Sequence, residues 1–265
     1  MHPMLNTAIR AARRAGDLML RHLDDVARIS VRTKGRNDFV SEVDHMAERV
    51  IVDTLIGAYP DHAILAEEGG ASGESDHLWI IDPLDGTTNF LHGFPQFAVS
   101  IALRRKGRLH QAVVYDPVKQ DLFTASRGQG AHLNNRRIRV SALTRLDGAL
   151  IGTGFPFREQ SRLELYIEQF RAIVSRTAGV RRAGSAALDL AYVACGRLDG
   201  FWEMGLHVWD IAAGVLLIEE AGGLVGDLDG AETHMTSGDI VAGNPKIFKA
   251  MVQALHPHAR VAMSE

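Results

Sequence analysis

The chain has 265 residues, 46% of them hydrophobic and 23% charged, with a formal net charge of −3. That is the balance of a globular protein with material for one large core or two closely packed subdomains. It excludes attraction of the whole molecule to nucleic acid or anionic membrane by net charge, and the lack of any run of about 18 apolar residues excludes a transmembrane helix.

The N-terminal segment lacks a continuous signal-peptide core and a cleavage site. Ala8, Ile9, Ala12, Ala15, Leu18 and Met19 recur at helical spacing, which predicts the first helix of the folded domain. A polar loop is expected over Arg32–Asp38. Ser41-Glu-Val-Asp44 then opens a second helix, with Met46, Ala47, Val50, Ile51, Thr54 and Leu55 as its buried stripe and Tyr59-Pro60-Asp61 as its stop. Ala63–Ala66 reads as a strand, residues 71–77 as a polar loop and Leu78–Ile81 as another strand. From Phe97 to Val140, apolar runs alternate with turn signals at Lys106-Gly107, Asp116-Pro117, Gly128-Gln-Gly130 and Asn134-Asn135. This predicts a β-meander with strands at 97–103, 109–115, 121–125 and 136–140.

In the C-terminal half, helices are expected at Leu163–Ser175, Ala186–Cys195, Asp210–Ala221 and Pro245–Leu255, with a short strand at Gly200–Glu203 and Gly222-Gly223 as a helix stop. The tail 256–265 is expected to be loose. A soft boundary near residue 145 separates an N-terminal α+β subdomain (1–145), which holds the meander and most candidate metal ligands, from a C-terminal α/β subdomain (146–265) with substrate-contacting residues. The two form one compact unit of mixed α/β class, with helices covering two sheets. The single cysteine, Cys195, cannot form an internal disulfide and suits a reducing cytoplasm; among apolar neighbours it reads as a small buried hydrophobe rather than a nucleophile.

The chemistry concentrates in Ile80-Ile-Asp-Pro-Leu-Asp-Gly-Thr-Thr-Asn-Phe90. Pro83 has no N–H and biases Asp82 towards extended geometry, so the chain turns directly after the strand. Asp82, the Leu84 carbonyl and Asp85 can then converge on one point, a donor set that suits a hard cation such as Mg²⁺. Gly86 lets backbone approach a ligand, and Thr87 and Thr88 begin a short helix whose free N–H groups can receive a phosphate. The competing reading is a capped turn, since Asp, Gly, Thr and Asn are all turn residues.

Three further segments carry the same ambiguity. Glu67, in Ala66-Glu-Glu-Gly-Gly70, is either a solvated strand end or the additional carboxylate that a two-metal site needs. Asp210, in Val208-Trp-Asp-Ile-Ala-Ala-Gly214, is a natural N-cap and equally able to face a metal or a substrate hydroxyl. Ser41 and Asp44 have capping-box spacing, and Asp44 can alternatively accept a hydrogen bond from a hydroxyl that orients a water. No Walker loop, G-x-S-x-G elbow, CxxC or HExxH is present, and Gly152-Thr-Gly154 is too short for a dinucleotide fingerprint.

Taken together, Asp82-Pro-Leu-Asp-Gly-Thr-Thr-Asn-Phe90, Trp209-Asp-Ile-Ala-Ala-Gly214 running to Glu220-Ala-Gly-Gly223, Glu67-Glu68 and the Asn37–Asp44 segment resemble the inositol monophosphatase family of Mg²⁺-dependent, lithium-sensitive phosphatases. The resemblance spans roughly residues 5 to 255. Gly152-Thr-Gly-Phe-Pro-Phe157 and Arg181-Arg-Ala-Gly-Ser-Ala-Ala-Leu-Asp189 are similar to the bacterial branch. It implies a layered αβαβα sandwich of the inositol monophosphatase and fructose bisphosphatase type, a homodimer, and hydrolysis of inositol monophosphate by attack of activated water.

The resemblance also implies roles. Glu67, Asp82, the Leu84 carbonyl, Asp85 and Asp210 would hold two or three Mg²⁺ ions. Gly86 and Thr87 would hold the phosphate through backbone N–H groups. Thr87 with Asp44 would help activate the water. Ala186, Glu203 and Arg181 would meet the substrate. Ser41 stands where the family commonly has Thr, and either residue keeps a hydroxyl. Alternative substrates for the same chemistry are histidinol phosphate, fructose 1,6-bisphosphate and a phosphoadenosine nucleotide. Bacterial relatives also include one that joins ribosomal RNA antitermination through transcription factors, which makes such a factor a second expected partner. Arg104-Arg-Lys106 and Asn135-Arg-Arg137 are the basic runs available to a partner, against the simpler reading of solvated turns.

Overall fold

A computed structural model describes residues 2–23, 31–35, 38–156 and 160–258. Helix α1 (Pro3–Leu23) is followed by a hairpin of β1 (Val31–Gly35) and β2 (Asp38–Ser41), then α2 (Glu42–Ala58). Next come β3 (Ala63–Ala66), β4 (Gly70–Ser72), β5 (His77–Asp85) and a single turn of helix, α3 (Thr87–Leu91). The meander is β6 (Ala98–Arg105), β7 (Arg108–Asp116), β8 (Asp121–Ser126), β9 (Gly130–Leu133) and β10 (Arg136–Arg137). The second half runs β11 (Leu150–Thr153), α4 (Leu163–Val174), β12 (Gly179–Arg181), α5 (Ala186–Ala194), β13 (Gly200–Glu203) and α6 (Val208–Glu220). It closes with β14 (Leu224–Gly226), α7 (His234–Ser237), β15 (Ile240–Gly243) and α8 (Pro245–Leu255).

Among the described residues, two large sheets form. One has eight strands in the order β10-β9-β8-β7-β6-β5-β3-β4, and the other five in the order β12-β11-β13-β15-β14. Helices α1 and α2 cover the outer face of the larger sheet, α5 and α6 fill the space between the sheets, and α4 and α8 cover the far face of the smaller one. The result is the αβαβα layering expected from the resemblance. Each interface has its own apolar cluster. Trp79, Ile81, Val99, Ile101 and Leu103 meet α1 and α2 on one face, while Ile80, Ala98, Ala102 and Ala112 meet α5 and α6 on the other. This is the period-2 alternation of strands covered on both sides. Helix α6 is buried from Ile211 to Ile218 without a polar stripe, because it is sandwiched between two sheets. Gly214 is needed there: a Cβ would come within 2.5 Å of the Leu190 Cβ on α5.

Several boundaries differ from expectation. The segment expected to be a loop at Arg32–Asp38 contains β1 and the start of β2, paired antiparallel; residues 36 and 37 lie outside the described part. Within the expected loop 71–77, β4 adds an antiparallel edge to β3. The expected strand at 136–140 pairs only over Arg136–Arg137, against β9, because Ile138 and Val140 turn towards the core around α5 and α6. At the start of the tail expected to be loose, His256 Nδ1 lies 2.9 Å from Asp229 Oδ1. The tail beyond residue 258 lies outside the described residues.

Candidate active site

The site is built at the end of β5. The ladder between β5 and β6 pairs Asp82 with Ser100 and then Asp85 with Ala98, so one extra residue is inserted on β5. This is a β-bulge, and it falls on Pro83, which has no N–H to give to the ladder. The bulge turns the strand so that Asp82 and Asp85 face one point, and Asp82 Oδ1 accepts from the Leu84 N–H at 3.0 Å. Gly86 follows at φ +97°. A Cβ there would meet Gln96 O at 2.9 Å, so only glycine carries the chain from the bulge into α3.

The third carboxylate arrives from the other half of the chain. Asp210 sits in the first turn of α6, where its Oδ2 accepts from the His207 N–H at 2.7 Å. It therefore caps from the third helical position, with His207 as N-cap, rather than being the N-cap itself. Asp82, Asp85 and Asp210 each present an oxygen within 4.8 Å of the others. Among the described residues this is the one group of three or more metal-ligating side chains so placed.

Asp82 is 1% exposed. Burial pushes its carboxyl well above the usual range, and the charges of Glu67, Asp85 and Asp210 push it further. Asp210 is raised by burial first, then by Asp85, with Glu67 and Glu203 adding to it against the His207 hydrogen bond. Like charges forced together out of water are costly. A divalent cation answers that cost, and an all-oxygen donor set fits a hard ion such as Mg²⁺.

Glu67 is placed by the parallel pairing of β3 with β5, its N–H donating to Ile81 O at 3.1 Å. Glu48, an acid on α2 that sequence reasoning passed over, accepts from the Glu68 N–H at 2.9 Å and packs against Gly69. It anchors the turn that delivers Glu67.

Asp44 and Thr87 form a second constellation. Asp44 lies buried in the first turn of α2, and its Oδ2 accepts from the Ser41 N–H at 2.9 Å and from the Ser41 hydroxyl. Its Oδ1 accepts from Thr87 Oγ1 at 2.9 Å. The two readings of Asp44 are thus both realised, one on each oxygen. Burial raises the Asp44 carboxyl, opposed by the hydrogen bonds from Ser41 and Thr87. The Leu84 carbonyl lies 3.1 Å from Thr87 Oγ1 and belongs to the same cleft.

The cleft has a volume of about 380 Å³. Glu67, Asp82, Leu84, Asp85, Gly86 and Thr87 line one side, and Ala186, Glu203 and Asp210 line it from the second half. Arg181 is not among them. It ends β12 with its side chain exposed, Nη1 donating to Val180 O at 3.1 Å, beside a separate cavity. Arg182 is the arginine of the cleft, its guanidinium 4.4 Å from the centre of the Phe155 ring. Two consecutive arginines at a strand end face opposite ways, and nothing in the sequence says which one faces the site.

Other contributors were also missed. Asn89 Nδ2 lies 2.7 Å from Gln96 O and 2.9 Å from Ala183 O, so α3 is tied to the segment entering α5. Asp85 Oδ2 accepts from Ser185 Oγ at 2.5 Å and from the Ala187 N–H at 2.7 Å. Gly154 lies so close against the Glu203 carboxylate that any side chain would displace it. Quoted as part of a glycine pair, it is the floor under an acid.

The arrangement offers carboxylates for cations, a hydroxyl held by a buried acid, and an opening flanked by Glu203 and Arg182. The comparisons agree with this geometry. The inositol monophosphatase family model matches residues 1–260. The chain is 59% identical over 264 residues to the Nus factor SuhB of Pseudomonas aeruginosa, covering 97% of each. Its fold matches the extragenic suppressor protein suhB of Bartonella henselae with a TM-score of 0.94 at 45% identity, covering 96% of this chain and 98% of that one. It matches the inositol monophosphatase of Anabaena with a TM-score of 0.86 at 40% identity, covering 96% and 95%. By family, fold and carboxylate cluster it carries the features of a metal-binding phosphatase of that superfamily. The chain belongs to the inositol monophosphatase family.

Proposed function

We propose that this chain is a Mg²⁺-dependent phosphomonoesterase for a small polyhydroxylated alcohol, with inositol monophosphate as the first candidate, and that it also has a non-catalytic role, as a Nus factor, in ribosomal RNA transcription antitermination. The observation that carries the first role is the convergence of Asp82, Asp85 and Asp210 from two halves of the chain. A phosphate dianion would be repelled by that cluster alone. Glu67, Asp82, the Leu84 carbonyl, Asp85 and Asp210 would hold two or three Mg²⁺ ions, which would supply positive charge for the phosphate and lower the pKa of water.

The chain's own residues do the rest. Gly86 and Thr87 offer backbone N–H groups to the phosphate at the start of α3. Thr87 Oγ1 donates its single proton to Asp44, which leaves its lone pairs free to accept a hydrogen bond from the attacking water and so to orient it. Glu203 and the N-terminal end of α5 at Ala186 meet the hydroxyls of the alcohol, and Arg182 stands beside them. Arg181, expected near the substrate, has its side chain beside the separate cavity and is left without a role in the cleft.

Replacing Asp82 by Asn should abolish Mg²⁺-dependent phosphate release while circular dichroism shows an intact fold. Near-wild-type turnover in that variant refutes the metal role. The assay uses inositol 1-phosphate, histidinol phosphate, fructose 1,6-bisphosphate and a phosphoadenosine nucleotide, with and without Li⁺, which should inhibit.

The second role is favoured by the relatives: proteins 59% and 53% identical to this chain are each a Nus factor SuhB. A surface rather than the cleft would serve it, on a chain that forms a homodimer. Capture of Nus-type transcription factors by wild type and by Asp82→Asn alike supports two separable roles; capture by neither removes the second.

A further inference from the structure

One side of the cleft is formed by two walls that supply none of the clustered carboxylates. One wall is the turn between β13 and α6, where Met204, Gly205 and Leu206 line the opening between Glu203 and Asp210. The other is Phe155 and Pro156, with the Phe155 ring packed edge-on against Tyr166 of α4 at 5.9 Å. The first wall bonds directly to a residue outside the cleft, Asp239, and the second reaches it through Tyr166 and the start of α4. Asp239 Oδ1 accepts from the Gly205 N–H at 3.0 Å. Its other oxygen takes Arg162 Nη2 at 2.6 Å, directly before α4 begins. The two side chains are 18% and 20% exposed, which favours a charge-assisted pair over a fully solvated one.

Backbone contacts run alongside. Leu206 N donates to Gly238 O at 2.9 Å, and Gly238, at φ +73°, lies so close under Leu206 O that no side chain fits there. The turn that carries Glu203 at one end and Asp210 at the other is therefore held from behind by residues 238–239.

We propose that Asp239 is a positioning residue. By bridging the Gly205 amide to Arg162, it fixes the separation of the two alcohol-side walls and so the grip of Glu203 on the hydroxyls of the substrate. This rests on the phosphatase reading above. Neither Asp239 nor Arg162 lines the cleft or belongs to the carboxylate cluster, so their loss should fall on recognition of the alcohol more than on attack on phosphorus.

The test compares wild type, Asp239→Ala, Asp239→Asn and Arg162→Gln with two substrates that share a phosphoryl group. Inositol 1-phosphate presents hydroxyls to Glu203, whereas p-nitrophenyl phosphate presents none. Asp239→Ala should raise KM for inositol 1-phosphate about fivefold or more with kcat nearly kept, and should change kcat/KM for p-nitrophenyl phosphate by less than about twofold. Asp239→Asn, which keeps an acceptor for Gly205, should fall between. Equal losses on both substrates, or none on either, overturn the proposal.

Amide hydrogen exchange supplies a readout that needs no turnover. The Gly205 and Leu206 amides should exchange about tenfold faster or more in Asp239→Ala than in wild type, while α6 keeps its protection. Unchanged exchange overturns the brace. If the alanine variant fails to fold, Arg162→Gln carries both measurements. Wild type inactive on both substrates would refute the phosphatase reading, and the exchange data would still decide whether the brace exists.

Discussion

The Thr87 hydroxyl has one proton and two acceptors in reach, Asp44 Oδ1 at 2.9 Å and Leu84 O at 3.1 Å. The charged partner wins the proton, since hydrogen bonds to carboxylates are roughly twice as strong as neutral ones. That choice fixes the hydroxyl with its lone pairs outward, a state an isolated threonine would occupy only part of the time. Thr87→Ala should therefore lower kcat on the order of 100-fold while KM changes by less than about threefold, measured on inositol 1-phosphate. A rise in KM with kcat intact would assign Thr87 to binding instead. At this scale the sequence was most legible where residues are contiguous. Asp82, Asp85 and Gly86 could be read from one string because a proline, a bulge and a glycine dictate their geometry locally. Glu48, Gly154 and Ser185 were opaque, because each acts on a group 20 or more residues away: Glu68 N, the Glu203 carboxylate and Asp85 Oδ2.

Helix positions were legible from apolar period and caps, and their ends less so. α6 begins at Val208, before the expected start at Asp210, because a carboxylate at the third position caps as well as one at the N-cap. β10 is short because the chain there leaves the sheet edge to follow the core, a tertiary effect with no local signature. Helix α5 carries a consequence of its own. Asp189 is 2% exposed, and burial, with the charges of Glu203 and Asp85, raises its carboxyl well above its ordinary 3.8. Between pH 3.8 and the raised value, the folded state thus keeps a proton that the unfolded chain gives up. The stability associated with that proton is fully present below pH 3.8 and is lost as pH rises through the raised value. Asp189→Asn should raise the thermal midpoint at pH 7 by about 2 °C or more, with the difference shrinking towards pH 4. A midpoint difference that is the same at both pH values would refute burial as the cause.

For the molecule as a whole, the element pattern supported a mixed α/β class with helices covering two sheets, and the αβαβα layering was an implication of the family resemblance. That both halves contribute carboxylates to one cleft was expected from the resemblance alone, since contacts between distant segments leave no periodicity. The clustered acids make the folded state wait for a cation. Mg²⁺ at about 100 times its dissociation constant should stabilise the protein by roughly 2.7 kcal/mol, seen as a rise in thermal midpoint that chelation reverses. Asp82→Asn should blunt that rise, and an equal rise in the variant would place the ion elsewhere.

Asp85 has a consequence in time as well as in space. One of its oxygens is held by the first residues of α5, about 100 positions along the chain. Loops of that span close late, after local helices and hairpins have formed. A refolding chain can thus regain most of its helical signal with its carboxylates still apart. The contacts expected to close last are the ones that complete the carboxylate cluster, so under the proposed phosphatase function recovery of activity should mark the end of folding and not its progress.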